Sequence, residues 1–378
     1  MAKKFFPLAV IVCLLLVQTV SAAPMVQPAA EAIDLSALDA TIIGQMEKHD
    51  LPGISLAVIQ GEEVIFAKGY GYAGSEAVSP QTLFLIGSQS KSFTALGIAI
   101  LADEGKIDLN APVRTYIPWF TVADADASER ITIRHLLRHT SGLSESGFGK
   151  VLPADLPLEE MIRSLKDAEL TAPVGTQFQY FNLGYDILAY VIEVVSGQSY
   201  AAFVRERILD PLEMSSTTAE VNELDQRAQG YSRLFGFPLA VRQVIREYEI
   251  AAGFILSNAE DMAKYAVAMK RLAKKMEPML LSREMSAQMF APGIADYGFG
   301  WWISDGGSRI YHGGANETYH AEVVLYPNLD RAVVYLINEG YFLDHTISIE
   351  QLKTSINAIL QGSAPPPVSQ GWSVRWVG

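Results

Sequence analysis

Apolar and polar positions divide the chain into stretches of different period. An apolar run from Phe5 to about Val17 follows Lys3 and Lys4 and precedes the small residues Ser21, Ala22 and Ala23. Residues 35–48 carry apolar positions at helical spacing. "ISLAVIQ" and "VIFAKGYG" are β-rich runs joined by Gly61-Glu62-Glu63, which predicts a hairpin. From Ser92 to about Met289 the period is mostly helical, broken by Pro- and Gly-marked loops such as "TAPVGTQFQY". Thr132 is a start signal for "IRHLLRHTSG", which Gly142 can end, and Ser257 with Glu260 predicts a capping box before "DMAKYAVAMKRLAKK". Strands return as "YGFGWWIS" and "RIYHGG" around Asp305-Gly306-Gly307, and as "HAEVVLYP" and "AVVYLIN" around Asn328-Leu329-Asp330. A last helix is predicted over residues 344–360.

Strands at both ends with helices between them predict an α+β fold. Its antiparallel sheet is built from both chain ends, flanked by terminal helices, with a mostly helical lobe inserted. The cleft between the lobes is the natural place for a site. The expected division is a signal peptide (1–22), a linker (23–34), one domain (35–361) and a Pro-rich tail (362–378). Within the domain, 35–87 with 295–361 form the sheet lobe and 88–294 the helical lobe.

The leader has the three parts of a secretory signal, with cleavage after Ala22, so the chain is expected to be exported to a periplasmic or extracellular space. The alternative is membrane association, through an uncleaved N-terminus or through a continuation beyond residue 378. The only cysteine, Cys13, lies in the apolar run, so a mature chain would have no disulfide, thiol chemistry or cysteine metal site. Formal charge is −13, and loss of Lys3 and Lys4 makes it more negative still. Such a surface repels phosphate backbones, and nucleic acid is not an expected partner.

Three short elements carry the chemistry. Ser88 and Lys91 are three apart in "FLIGSQSKSFTALGIAILADEG", at the start of a helix that is apolar on nearly every face. That spacing puts hydroxyl and amine on one side of a helix, where a desolvated lysine can activate a serine without histidine. Tyr180-Phe181-Asn182 lies where a loop enters another apolar helix, presenting a phenol and an amide on one edge. His312-Gly313-Gly314 ends a strand, and its glycines allow close backbone approach. Read singly, each has a plainer meaning: a surface serine, a buried tyrosine beside an N-cap, a turn.

Together, in this order, they resemble the class C β-lactamase and penicillin-binding-protein-like serine hydrolases, a superfamily that includes D-peptidases and esterases. "ITIRHLLRHTSGL" and "AAGFILSNAEDMAKYA" look like that family's helical-lobe landmarks, so the resemblance runs from about Leu35 to Leu360. It implies that Ser88 is the acylated nucleophile, Lys91 its proton-handling partner and Tyr180 a general acid/base. It places Asn182 on the substrate amide and makes His312 and Gly314 the strand wall opposite Ser88. The backbone N–H groups of Ser88 and Ala315 would form the oxyanion hole. Whether Lys91 or Tyr180 takes the serine proton stays open.

The resemblance implies hydrolysis of a peptide-like amide (a D-amino-acid peptide or a β-lactam) held as a small-molecule or peptide substrate, with no cofactor and no metal. The alternatives are a carboxylesterase on small acyl esters and a non-catalytic penicillin-binding sensor. One departure bears on the choice. His312 stands where many relatives carry the lysine of Lys-Thr-Gly, so the anchor for a substrate carboxylate is weaker, which fits the peptidase and esterase branches. Phe181 in the Tyr-x-Asn triplet is expected to narrow the cleft. "GYGYAG", Gly69 to Gly74, reads as a turn because no helix follows it, and His135 with His139 lacks the glutamate of a zinc-protease pattern.

Overall fold

The computed structural model describes residues 32–234, 237–276, 279–340 and 346–366. The leader with Cys13, most of the linker and the tail beyond 366 lie outside the described residues, and so do the expectations placed on them. Helix α1 (Leu35–His49) is capped by the Asp34 side chain and leads into the hairpin of β1 (Gly53–Gln60) and β2 (Glu63–Ala73), followed by β3 (Glu76–Ala77). The short β4 (Phe84–Leu85) precedes α2 (Ser90–Asp103). A helical region with α3 (Asn182–Ser196) follows, then the hairpin β5 (Tyr231–Leu234) and β6 (Phe237–Ala240), β7 (Leu256–Ser257) and α4 (Ala259–Ala273). The chain closes with β8 (Trp302–Ser304), β9 (Arg309–Ala315), β10 (His320–Tyr326), β11 (Arg331–Ile337) and α5 (Thr346–Leu360).

The central sheet has the order β3-β2-β1-β11-β10-β9-β8, with neighbouring strands antiparallel. β1 meets β11 in a register that sets Ile54 opposite Ile337, so the two chain ends are joined at the middle of the sheet. Leu38 and Ile42 of α1 and Leu352 and Ile356 of α5 cover one face, against Leu56, Val58, Val333 and Tyr335. α4 and the helical region cover the other, against Ala57, Val323, Val334 and Leu336. The middle of the sheet is thus covered on both faces, which is why β10 and β11 are buried throughout instead of alternating.

The α+β architecture expected from the sequence is the one observed. Several local expectations are corrected. Gly69 to Ala73 is not a turn but continues β2, where a side chain on Gly69 would strike Val78, and the chain turns only at Gly74. The cap of α4 is Asn258, whose side chain accepts from Asp261 N–H, while Ser257 belongs to β7. Gly142 does not end the Ile133–Leu137 helix; its φ of +83° lets the chain pass against Ala172 O. The β5–β6 hairpin falls within the stretch read as helical.

Candidate active site

Ser88 stands where extended chain turns into α2. β4 pairs with β7, and Ile86 N–H donates to Ile255 C=O at 3.0 Å, which holds the approach to Ser88 against the segment that follows residue 250. The chain then turns at Gly87, with φ of +54°, through the 3₁₀ turn Gly87–Gln89 into α2, so Ser88 sits just ahead of the helix. A Cβ on Gly87 would lie 2.6 Å from Ala315 N, and one on Gly314 would lie 1.9 Å from Ile86 O and 2.7 Å from Ser88 N. These two glycines let the Ser88 turn rest directly on β9. The backbone nitrogens of Ser88 and Ala315 therefore lie at one junction.

Lys91 is fully buried. Its Nζ donates to Ser88 Oγ at 3.1 Å, to Asn182 Oδ1 at 2.7 Å and to Ala252 C=O at 2.8 Å. Three N–H bonds are therefore filled by three neutral acceptors from separate segments. Nζ also lies 4.9 Å from the centre of the Tyr180 ring. Ser88, Lys91, Tyr180 and Asn182, far apart in sequence, are thus gathered at one place.

Two further residues hold this set, Glu145, which sequence reasoning missed, and His139, which it had weighed only against a metal pattern. Glu145 Oε1 accepts from both N and Nδ2 of Asn182, each at 3.1 Å, which turns Oδ1 of the amide toward Lys91. His139 is buried, lies tilted against the Tyr180 ring with centroids 4.3 Å apart and accepts from Phe181 N–H through Nδ1 at 3.2 Å. Burial first, then Lys91 and His312, push His139 well below the usual histidine range, so it is a neutral support. The "HTSGL" landmark that precedes Glu145 was visible, but a clamp on an amide from 37 residues away has no local signature. His135 closes a capping box with Thr132 instead of serving a metal. Among the described residues no cluster of His, Cys, Asp and Glu could hold a metal ion.

Ser88, Asn182 and Ala315 line a cavity of about 190 Å³ together with Arg246, Glu249 and Phe254. A larger cavity, about 480 Å³, is lined by Tyr248, Ile250 and Ala251 and does not reach Ser88. One expectation fails here. Phe181 does not narrow the cleft: it is buried in the core and absent from the cavity lining. His312 does not line the cavity either. It is sealed in, with Nδ1–H donating to Gly313 C=O at 2.7 Å and Nε2 accepting from Tyr297 O–H at 3.0 Å. Burial first, then Lys91, bring its pKa down to about 3, so it is uncharged at neutral pH. Phe299 and Trp301 are core, while Trp302 is half-buried against Tyr297.

The chain matches the Beta-lactamase family over residues 38–354 and belongs to it. The Protein flp of Staphylococcus aureus strain MW2 is 26% identical over 310 residues, 80% of this chain and 62% of that protein. The unguisins hydrolase ungD' of Aspergillus campestris is 30% identical over 323 residues, 78% of this chain and 60% of the relative. The chain thus spans about three-fifths of the length of these curated relatives. Among solved structures, the octameric penicillin-binding protein homologue from Pyrococcus abyssi superposes with a TM-score of 0.75 at 29% identity, covering 88% of this chain and 78% of the other. The fold is also that of EstCE1, a hydrolase with promiscuous acyltransferase activity, at a TM-score of 0.74 and 21% identity over 87% of this chain and 98% of the other.

Two outcomes follow from this geometry. Glu145→Ala is expected to slow acylation of Ser88 about tenfold, the worth of a lost charge-assisted bond, while Glu145→Gln keeps it within about threefold; stopped-flow labelling with a serine probe measures both. His312 is neutral when folded and takes up a proton when unfolded below the ordinary histidine pKa of about 6.5. Stability is therefore complete above that value and declines as pH falls toward 3. Urea midpoints between pH 4 and 7 should show a slope smaller by up to about 1.4 kcal/mol per pH unit in His312→Gln.

Proposed function

We propose that the protein is a serine hydrolase that forms an acyl-enzyme on Ser88 and cleaves a peptide-like amide. The observation that carries this is the buried Lys91 amine 3.1 Å from Ser88 Oγ, beside Tyr180 and Asn182. Ser88 Oγ would attack the carbonyl carbon as its proton passes to Lys91 or Tyr180. The amides of Ser88 and Ala315 would receive the oxyanion, and Asn182 the substrate amide. Tyr180 would return the proton to the departing amine, and water would then cleave the acyl-serine by the same proton path in reverse.

The neutral, sealed His312 offers no cation to a substrate carboxylate, and Arg246, the cation of the cavity lining, is paired with Glu249 at 3.6 Å. Both features favour substrates without a carboxylate beside the scissile bond over penicillins and carboxy-terminal D-alanyl peptides. The same features support the second reading, a carboxylesterase on small acyl esters. The third, a penicillin-binding sensor, differs by forming a lasting adduct on Ser88 without product release.

An active-site serine probe should label Ser88 in the wild type and leave Ser88→Ala unlabelled, and Lys91→Ala should react at least about a hundredfold more slowly. Labelling that survives Ser88→Ala places the nucleophile elsewhere. Turnover of short p-nitrophenyl esters and blocked peptides against a chromogenic cephalosporin ranks the substrate classes, with the cephalosporin expected last. We propose further that the chain is exported through its apolar leader. Amino-terminal sequencing of the protein from the native envelope or medium should begin at Ala23, and a retained Met1 would replace cleavage with anchoring.

A further inference from the structure

The larger cavity, of about 480 Å³, has no part in the chemistry at Ser88. Residues 246–254 run between the two hollows. Arg246, Glu249, Ala252, Gly253 and Phe254 line the Ser88 cavity, while Glu247, Tyr248, Ile250 and Ala251 line the larger one. One short segment is thus a partition that gives a different set of residues to each side. The rest of the larger lining includes Ala189 and Glu193, one turn apart on α3, and Tyr200 just beyond that helix. The volume falls in the range of small-molecule sites, about 300–1,000 Å³.

This lining carries one sign of charge. It holds three carboxylates, Glu193, Glu220 and Glu247, and no Lys, Arg or His. Arginines of the adjoining segments are engaged with other carboxylates: Arg246 with Glu249 at 3.6 Å, Arg205 with Glu223 at 3.3 Å and Arg163 with Glu159 at 2.6 Å. None of the three lining carboxylates has an ion-pair partner among the described residues. Glu193 is fixed by the Tyr200 N–H, which donates to Oε1 at 2.8 Å and leaves Oε2 free to accept another donor. Burial raises the Glu193 carboxyl and the Tyr200 N–H opposes this, so a cation brought beside it would favour the charged form. Next to these charges, Tyr200, Tyr248, Ile250 and Ala251 are buried and supply apolar surface. An anion would be repelled here. A metal ion is unsuited too, since among the described residues no group of His, Cys, Asp and Glu is close enough to hold one. What fits is an ion with a single charge, N–H donors and an apolar body.

We propose that this cavity is a second ligand site, which takes a small primary organic ammonium. The ammonium donates to Oε2 of Glu193, Glu220 and Glu247 add negative potential, and the hydrocarbon part rests on Tyr200, Tyr248 and Ile250. The site lies behind the partition of the Ser88 cavity and does not depend on the acyl-serine reading. Glu249 and Glu317 belong to the Ser88 cavity, so binding there is the rival outcome that the experiment must separate.

The test uses the full chain and phenethylammonium, titrated calorimetrically at low salt, with phenethyl alcohol as the neutral molecule of the same skeleton. The ammonium is expected to bind at least about tenfold more tightly than the alcohol, the worth of one charge-assisted bond. Glu193→Gln keeps an oxygen for the Tyr200 N–H, and should weaken the ammonium about tenfold while leaving the alcohol within about twofold. Glu247 is exposed, so Glu247→Gln leaves the packing intact; it should weaken the ammonium about threefold, and less at high salt. Glu317→Gln, on the Ser88 cavity, should change the affinity by less than about twofold. Equal affinities for ammonium and alcohol, or no binding at about 10 mM ammonium, overturn the proposal. So does an affinity that Glu193→Gln and Glu247→Gln both leave unchanged. A loss in Glu317→Gln without one in Glu193→Gln overturns it as well, by placing the cation beside Ser88.

Discussion

The site depends on one buried amine that must satisfy itself without a counter-ion. An ammonium or amine removed from water needs its donors met, and Lys91 meets them with a hydroxyl, a side-chain amide and a backbone carbonyl from three segments. Each acceptor also fixes something else. Ser88 is held by the turn on β9, Asn182 by Glu145, and Ala252 by the short helix after residue 250. The lysine is thus both a chemical group and the knot at which these segments converge.

The second constraint is steric. Gly87 and Gly314 meet where no Cβ fits, and this contact brings the serine turn onto the sheet. Near it two histidines are kept uncharged by burial. His139 and His312 are both pushed below the ordinary range, so Lys91 sits among neutral rings instead of a second cation.

The parts of this arrangement that rest on local spacing were legible in the sequence. Ser88 and Lys91 are neighbours on one helical face, and Tyr180 with Asn182 marks a loop-to-helix entry, so their types and spacings were enough to single them out. The sheet built from both ends was legible because β1, β10 and β11 are dense in β-branched residues between clear turns. What could not be read depends on tertiary partners. A carbonyl acceptor such as Ala252 O has no residue-type signature. The direction of Phe181 is set by the core behind it, and the sealing of His312 by Tyr297, 15 residues away. The cap at Asn258 was missed by one position because Ser257 and Asn258 are both good cap residues, and only the pairing of β7 with β4 decides between them.

The pairing of Ile54 with Ile337 has a consequence for how the molecule comes into being. At roughly 5–20 residues per second, the ribosome needs on the order of 15–60 s after completing β1 to deliver its neighbour β11. Through that interval the amino-terminal hairpin has an open, apolar edge, and the helical region has no finished sheet to settle on. Folding to the native state therefore waits for the last fifth of the chain, and a chaperone that keeps the nascent polypeptide from pairing with the wrong edge has that whole window in which to act.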